Sequence, residues 1–376
     1  MNILYFTEYF PENPEKAELT GGTEARCFYL AKELSKRHNL TIITTTQKKP
    51  RIQNFENIKI IRPIKLPYTH TDYILKRLLN MKKMYKAGKK IIKNIDIIDA
   101  HNFISYIPAA KLAKKYKKKS FAQYHEVWLN EWIKNTGRYS GLIGEIGERV
   151  ALKYQKHTKF ITVSNFTKSK LKNKKATTIH NGIELEKYKK IKEKKFKDLT
   201  ICKTGRLTPL KRTQDLILAT KLVKQKIPNI KVKIIGDGEE KQKLINLTKK
   251  LKLEKNIEFL GFLKDHKDVL KTVKKSHLYC LPSILEGFGI VTVEALALNV
   301  PFVSSDIPPT REITQGKGGL LYQPKNHRQL ANNIIELLTN KILYKQKQKE
   351  AQNLAKKYDW KDLAKKLEEE YLKWKK

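Results

Sequence analysis

The sequence has few cysteines and few acidic residues for its 376 positions, and it has no long uncharged apolar run. Its three cysteines, Cys27, Cys202 and Cys280, form no Cys-x-x-Cys pair and no Cys/His spacing typical of a metal site. A reducing compartment fits this pattern. No stretch matches the roughly 18 apolar residues of a membrane-spanning helix, and the first residues lack the features of a signal peptide. We therefore expect a cytoplasmic protein, soluble or bound to the inner face of the membrane.

The shortage of acidic residues leaves a formal net charge of +42, carried by 68 lysines and 11 arginines. Nucleic-acid binding is one explanation of such a charge. However, the lysines are spread through every helical segment, and no zinc-finger, RNP or basic-zipper pattern occurs. We therefore expect no nucleic-acid partner. A compositional bias and an anionic partner, of which a membrane surface fits best, are the two remaining explanations.

Short apolar runs alternate with amphipathic helical stretches along the chain. They predict strands at 2–7, 40–46, 58–64, 95–101, 120–125 and 160–164, and again, after a lysine-rich stretch at 186–198, at 199–205, 231–238, 257–262, 277–283, 301–305 and 319–324. Such alternation is typical of parallel sheets covered by helices. We therefore expect an α/β protein with two Rossmann-like, doubly wound domains, at 1–185 with a returning C-terminal helix at 360–376, and at 186–359.

Ligands of doubly wound sheets bind beyond the carboxyl ends of the strands, so we expect the two domains to face a central cleft. One motif at such a strand end is EGFGIVTVE, in which Glu286 and Glu294 flank a glycine loop and the start of a helix. This arrangement aims backbone N–H groups at an anion. Ionised carboxylates only accept hydrogen bonds, so the two acids suit the hydroxyls of a sugar or ribose. The alternative is a solvated loop acid and an unrelated helix acid.

Three further motifs follow predicted strands. TGRLTPLKR presents Arg206 and Lys211, which suit a diphosphate, although a chance pair is common in so lysine-rich a chain. IIGDGEE places Gly236 where the backbone is able to approach a nucleotide. LTGGTEAR puts Gly22 before a predicted helix, with Thr23 as its cap, and forms a second candidate phosphate-facing turn.

These motifs occur in the order GGTEAR, AQYHE, VSNFTKSKL, HNGIELEKY, KTGRLTPLKR, IIGDGEE, FLGF and SILEGFGIVTVEALALNVPFVSSD. In this order the chain resembles the family 4 glycosyltransferases, the retaining, metal-independent glycogen synthase and mannosyltransferase type. The resemblance covers nearly the whole chain. It implies the GT-B fold, in which the C-terminal helix packs back across the domain junction.

The resemblance also implies roles at matching positions. Glu294 is expected to hold ribose hydroxyls, Glu286 the donor-sugar hydroxyls, and Arg206 with Lys211 the diphosphate. His125, in AQYHE, is expected to lie against the donor sugar, whereas on the residues alone a single histidine after a strand is more often structural. The remaining donor-binding positions are the glycine turns and the phenylalanine between two of them: Gly22, Gly205, Gly236, Gly287, Phe288 and Gly289.

No Asp-x-Asp motif is present, so we expect no metal. Arg206, Lys211 and a helix dipole would then neutralise the leaving diphosphate. By resemblance, transfer retains the anomeric configuration through attack on the face that the diphosphate leaves. We expect a UDP- or GDP-sugar as the donor substrate and no separate cofactor.

The acceptor is expected to be a glycan or a lipid-linked sugar, because residues 73–92 combine apolar positions with many lysines. Such a basic amphipathic helix binds anionic lipid. Packing of the same helix into the first domain, with a solvated lysine face, is the alternative. Two other functions stay open: a nucleotide-sugar epimerase of the same architecture, and a basic nucleic-acid-binding protein.

Overall fold

A computed structural model describes residues 1–16, 19, 21–65, 73–171 and 176–375. The chain divides into two compact units. The first unit comprises Met1–Asn181 and Trp360–Lys376, and the second comprises Gly182–Asp359. Each unit contains a largely parallel sheet with helices packed on it, as the sequence predicted.

The strands of the first unit are β1 Asn2–Phe6, β2 Asn39–Thr46, β3 Arg51–Phe55, β4 Ile58–Lys65, β5 Ile97–Ala100, β6 Lys119–Tyr124, β7 Thr158–Thr162 and β8 Thr177–Thr178. Among the described residues they form one sheet in the order β3-β4-β2-β1-β5-β6-β7-β8. All neighbours pair in parallel except β3 and β4. The sequence analysis missed β3, an edge strand whose exposed positions, Ile52 and Asn54, alternate with half-buried ones.

The helices of the first unit, apart from the last helix of the chain, are α1 Gly22–Ser35, α2 Tyr73–Ile91, α3 Phe103–Lys115, α4 Trp132–Thr136, α5 Arg138–Tyr154 and α6 Asn165–Leu171. They cover central strands that are buried on both faces. In β1, for example, Ile3, Leu4, Tyr5 and Phe6 are all fully buried. Burial on both faces explains why the predicted strands are continuous apolar runs rather than alternating ones.

The second unit begins with the short helix α7 Leu185–Lys189. Its strands are β9 Thr200–Thr204, β10 Lys231–Ile235, β11 Ile257–Gly261, β12 Leu278–Leu281, β13 Phe302–Ser305 and β14 Gly319–Tyr322. Its other helices are α8 Thr213–Lys226, α9 Lys241–Lys250, α10 His266–Lys275, α11 Ile290–Ala297, α12 Pro308–Thr314, α13 His327–Thr339 and α14 Lys341–Ala355.

The described strands of the second unit follow the order β11-β10-β9-β12-β13-β14, and every pair is parallel. This is the doubly wound order of dinucleotide-binding sheets, whose direction of winding reverses between the first and fourth strands. The reversal lies between β9 and β12. The loops after these two strands therefore occupy the position where such sheets bind ligands.

The last helix of the chain, α15 Trp360–Lys375, belongs to the first unit. Its apolar face, with Trp360, Leu363, Leu367 and Tyr371, joins the core beneath α1 and β1. Trp360 also stacks on Tyr29 at 5.9 Å between ring centroids. The apolar positions of α15 recur every three to four residues, so one face of the helix is buried in this core.

Candidate functional site

Two loops of the second unit meet at the reversal of its sheet. In the loop after β9, a short 3-10 turn, Pro209–Lys211, carries Lys211, and the loop after β12 carries Glu286. The ammonium of Lys211 donates a hydrogen bond of 2.7 Å to Oε1 of Glu286. Both side chains are partly exposed, at 23% and 11%. The motifs therefore converge on one accessible ion pair, although 75 residues separate them along the chain.

Arg206 lies in the same loop, where its side chain is exposed. The neighbouring Lys203 is fully buried, and its ammonium donates to the carbonyl oxygens of Gly205 at 3.0 Å and Arg206 at 3.4 Å. Burial, followed by the charge of Lys211, lowers the pKa of Lys203 to about 8. Lys203, which the sequence analysis did not single out, thus holds the backbone of the loop that presents Arg206.

Gly236 directly follows β10, at a point where two loops pass very close together. A Cβ atom at this position would lie 2.1 Å from the carbonyl oxygen of Gly205, and its φ of +132° favours glycine. The amide of Gly236 donates to the carbonyl of Gly261 at 2.7 Å, and that of Gly205 to the carbonyl of Ile235 at 3.0 Å. The predicted role for Gly236 was an approach to a nucleotide; its immediate neighbour here is the backbone of Gly205.

Glu294 lies in α11, and its carboxylate has two protein donors. The hydroxyl of Tyr188 donates to Oε1 at 2.9 Å, and Nε2 of His266 lies 3.0 Å from the same oxygen. Burial lowers the pKa of His266, but the charge and hydrogen bond of Glu294 outweigh it and raise that pKa overall. Neither partner was predicted. HNGIELEKY ends in Tyr188, so the motif was a signal, whereas His266 belongs to none of the motifs.

The loop between the two glutamates turns sharply into α11. Gly289 caps this helix in the left-handed region, at φ +89°, where a glycine avoids strain. The ring of Phe288 is buried and packs edge-on against Tyr358, with 5.9 Å between centroids. The side chain of Phe288 therefore anchors the loop, so only its backbone, with that of Gly287, can serve a ligand.

In the first unit, α1 begins at Gly22, and Gly21 precedes it as the N-cap with no side-chain hydrogen bond. The prediction that Thr23 caps this helix is therefore wrong, because Thr23 already lies inside the first turn. A Cβ atom at Gly21 or Gly22 would meet no atom of the described residues within 4 Å. The turn is open, with exposed backbone at the start of α1.

His125 directly follows β6. Its ring donates a hydrogen bond to the backbone of His101, while Nε2 is buried and has no partner in the described structure. The donor is therefore Nδ1. Burial, and next the charge of Arg26, lower the pKa of His125 to about 3, so the ring is neutral. Nε2 of His125 is thus an unprotonated acceptor.

A buried polar network lies beside this histidine. Arg26 is fully buried and donates through Nε to Gln123 at 2.6 Å and through Nη1 to the carbonyl of His180 at 2.8 Å. Gln123 donates to Asp99 at 2.6 Å, and the hydroxyl of Tyr371 donates to the same carboxylate oxygen. Burial raises the pKa of Asp99 to about 6. The sequence analysis quoted the motifs that contain Arg26, Gln123 and His180, but it assigned none of these three residues a role and noted neither Asp99 nor Tyr371.

His101 adds a second buried imidazole to the network. It is fully buried against the ring of Tyr5, with 4.3 Å between centroids, and both of its ring nitrogens lack hydrogen-bond partners in the described structure. Its Nε2 lies 3.7 Å from Asp99. Burial, followed by the charge of His125, lowers the pKa of His101. Polar groups from α1, β5, β6 and α15 thus surround the backbone that carries His125.

The predicted basic helix at 73–92 corresponds to α2. The side chains at 74 and 78, part of its predicted apolar face, lie outside the described residues. Further along, Met84 is buried in the core of the first unit, whereas Lys82, Lys86 and Lys89 are exposed. This part of the helix therefore packs as the alternative explanation stated, with a solvated lysine face.

Two searches of the described residues bear on metals and membranes. No group of three or more His, Cys, Asp or Glu side chains is arranged to hold a metal ion. Within the same part of the chain, no helix is both long and apolar enough to cross a bilayer.

Known sequence families match both halves of the chain. Residues 20–187 match the family described as Glycosyltransferase Family 4, and residues 184–355 match Glycosyl transferases group 1. An uncharacterised glycosyltransferase of Methanocaldococcus jannaschii is 31% identical over 289 residues, which are 73% of this chain and 75% of the relative.

Solved structures share the fold at low sequence identity. Sucrose-phosphate synthase from Thermosynechococcus elongatus superposes with a TM-score of 0.82 at 18% identity, covering 99% of this chain and 98% of the other. Anabaena HepE, solved in complex with UDP-glucose, gives a TM-score of 0.75 at 19% identity, covering 98% and 99%. Both similarities concern the architecture of two parallel-sheet α/β domains.

Proposed function

Because this chain belongs to the family 4, group 1 glycosyltransferases, we propose that it moves a hexose-type sugar from a nucleoside diphosphate sugar to a hydroxyl acceptor. We further propose that the transfer retains the anomeric configuration and needs no metal ion. The observation that carries the donor assignment is the accessible Lys211–Glu286 pair at the strand reversal of the second unit. HepE, which shares the fold, was solved with a nucleotide sugar, in agreement with such a donor.

The second unit would bind the nucleotide part of the donor. Glu294 accepts two hydrogen bonds in the free protein, from Tyr188 and His266, and the hydroxyls of a ribose would meet its remaining acceptor positions. The backbone of Gly287 and Gly289 would serve the diphosphate at the start of α11, where the helix dipole favours an anion.

Arg206 and Lys211 would bind the diphosphate as it leaves. The exposed guanidinium of Arg206 is able to bind two phosphate oxygens at once, and Lys211 would act as a compact charge. Glu286 would contact the hydroxyls of the sugar, while its pairing with Lys211 fixes its direction. Arg206 and Lys211 act on the negative charge that grows on the diphosphate as its bond to the anomeric carbon breaks, so these two cations would lower the barrier directly.

His125 would lie against the donor sugar. Its free Nε2 is an acceptor, which suits a sugar hydroxyl rather than a phosphate. Gly22 would leave the start of α1 open to the diphosphate and acceptor. In the transfer itself, the acceptor oxygen bonds to the anomeric carbon as the bond to the diphosphate oxygen breaks. The acceptor proton passes to that diphosphate oxygen, so no protein nucleophile is required.

The acceptor would be a lipid-linked sugar or another precursor of a cell-surface glycan, handled on the cytoplasmic side of a membrane. The exposed lysines of α2 and the formal charge of +42 support binding to an anionic surface, where the transfer would take place. The acceptor would then be presented at that surface.

Thermal unfolding with nucleoside diphosphates tests the donor site. We expect UDP or GDP, but not ADP, to raise the Tm of the wild type equally with and without EDTA, because a ligand of the folded state stabilises it by mass action. Glu294→Ala should abolish the shift. Glu336→Ala, an exposed acid on α13, is the matched control and should retain it. A shift that survives in Glu294→Ala, or that needs a divalent metal, would contradict the proposal.

A further inference from the structure

Helix α5 exposes a row of large apolar side chains. The described residues contain twelve exposed large apolar side chains, and six of them lie on this one helix. They are Tyr139 at 87% exposure, Leu142 at 52%, Ile143 at 46%, Ile146 at 54%, Val150 at 39% and Tyr154 at 45%. Their spacing of three and four residues places them on one face, which we call the α5 stripe. It extends roughly 22 Å along the helix.

The opposite face of α5 is built from small residues. A Cβ atom at Gly144 would lie 2.3 Å from the ring of Trp132, and one at Gly147 would lie 2.8 Å from the ring of Phe103. At Gly141 the neighbour is the backbone of Ile133, at 2.4 Å. The large rings of neighbouring elements therefore pack onto glycines of α5. An ordinary surface helix has the reverse arrangement, with its large apolar side chains turned inward.

A buried acid fixes this orientation. Glu148 is 3% exposed and accepts hydrogen bonds from Nε1 of Trp132 at 2.6 Å and from the backbone amide of Trp128 at 3.3 Å. Rotating α5 to bury the stripe would expose these partners and push side chains into the glycine contacts. The outward direction of the stripe is thus fixed by the fold. A contiguous apolar patch of this extent on a protein surface marks an interaction site.

Cations surround the stripe. Arg138 and Lys153 lie on α5 next to Tyr139 and Tyr154 in the sequence, Lys134 and Lys156 flank the helix along the chain, and all four side chains are exposed. The ammonium of Lys111 lies 4.8 Å from the ring centre of Tyr154. An apolar face with tyrosines at both ends and cations at its border matches a helix that lies in the interface of an anionic bilayer.

We propose that the α5 stripe is a docking face for an anionic membrane surface. This inference rests on the proposed function, because it supplies the surface on which a lipid-linked acceptor would be met. A second copy of the chain is the other occupant such a face would suit. The formal charge of +42 opposes self-association and favours an anionic partner. In contrast to α5, α2 offers lysines but buries Met84 in the core.

Vesicle sedimentation tests the proposal. The full chain should bind vesicles of phosphatidylcholine with phosphatidylglycerol, and bind vesicles of phosphatidylcholine alone much more weakly. Leu142→Gln combined with Ile146→Gln should lower the partition coefficient at least about tenfold and leave the Tm unchanged, because both side chains are exposed. Ile342→Gln, at a position 82% exposed on α14, is the matched control and should bind as the wild type does.

Different outcomes identify other occupants. Equal partitioning of the double variant and the wild type would overturn the proposal, as would absence of binding by the wild type. A dimer of the wild type in light scattering that becomes a monomer in the double variant, without vesicle dependence, would assign the stripe to a second copy. Replacing Lys82 and Lys86 of α2 by Gln should reduce binding less, and only at low salt.

A labelled variant reads contact with lipid directly. All three native cysteines are buried, so Ile146→Cys can carry an environment-sensitive fluorophore at a single site. Its emission should shift to shorter wavelength with anionic vesicles, whereas the label at Ile342→Cys should not shift. The nucleoside diphosphate Tm assay is run on the same variants. If lipid contact is absent but nucleoside diphosphates still raise the Tm, only the docking face is refuted. If lipid contact is seen but nucleoside diphosphates do not raise the Tm, only the donor site is refuted.

Discussion

Charged groups are held in opposite ways in the two units. In the second unit, Lys211 and Glu286 pair at an accessible site, and Arg206 is exposed in the same loop as Lys211. In the first unit, Arg26 and Asp99 are fully buried and are linked through Gln123. Exposed groups are free to exchange water for a ligand. The buried groups are held by protein partners through Nε and Nη1 of Arg26 and Oδ2 of Asp99, although Nη2 of Arg26 and Oδ1 of Asp99 have no partner in the described structure. Removing one of them leaves other buried polar groups without partners.

This difference separates two tasks that charged residues perform. The second unit keeps its charges where a phosphate or a hydroxyl can reach them, so their loss should affect activity more than folding. The first unit uses its charges to fix the backbone around His125, so their loss should affect folding first. Variants that exchange these outcomes would break the comparison.

The largest effect is expected from Arg206→Ala. If Arg206 stabilises the departing diphosphate, the substitution should lower kcat by about 10²–10³-fold. Its side chain is exposed, so the free energy of unfolding should change by less than about 0.5 kcal/mol. Transfer from a radiolabelled nucleotide sugar and urea unfolding measure the two quantities. Arg328→Ala, an exposed arginine on α13, should change neither, and a matching loss of stability in Arg206→Ala would refute this division of tasks.

Arg26→Met should show the opposite result. The substitution removes the donors to Gln123 and to the carbonyl of His180 while keeping most of the side-chain volume. We expect a loss of about 3–5 kcal/mol in the free energy of unfolding of the first unit, because buried partners are left unsatisfied. Urea unfolding followed by tryptophan fluorescence checks this. A variant as stable as the wild type would show that the network is not structural.

The network also predicts a pH dependence with two opposing contributions. The pKa of Asp99 is raised from 3.8 to about 6, so its stabilising effect is full at low pH and is lost as pH rises from 4 to 6. The pKa of His125 is lowered from 6.5 to about 3, so its contribution is full above pH 6.5 and declines as pH falls.

These signs can be read from two variants. Between pH 4 and 6, the stability of Asp99→Asn should rise more steeply with pH than that of the wild type, and that of His125→Gln less steeply. Thermal unfolding at a series of pH values measures both slopes. Parallel curves for all three proteins would mean that neither group titrates abnormally.

The smallest effect is expected from Tyr188→Phe. This change removes the hydroxyl that donates to Glu294 at 2.9 Å and keeps the ring. Loss of one hydrogen bond to a charged group, with a possible water substitute, should weaken nucleoside diphosphate binding by about 2–10-fold. Isothermal calorimetry measures it, with Tyr344→Phe as the control because that hydroxyl bonds to the carbonyl of His277 instead. An effect as large as that of Glu294→Ala would place Tyr188 itself against the ligand.

The local sequence pattern was sufficient to predict most of the strands, and to predict the loops of the second unit that carry the site motifs. The strand beginning at Thr200 and the one ending at Leu281 were predicted because each is a short apolar run followed by a glycine loop. Ligand loops follow strand ends in doubly wound sheets, so the motifs that carry Lys211 and Glu286 were assigned to one site. The edge strand β3 was missed because its exposed side chains give no buried apolar run.

The sequence by itself determined the two parallel-sheet units and the glycosyltransferase motifs, because both depend on neighbours along the chain. Only the tertiary structure decided which distant groups meet. Tyr371 reaches Asp99 across 272 positions, and His266 reaches Glu294 from a segment without a motif. The outward direction of Ile146 likewise follows from rings that pack on glycines of the opposite face. Periodicity marks an apolar face but not what covers it, since burial is a property of the surrounding fold.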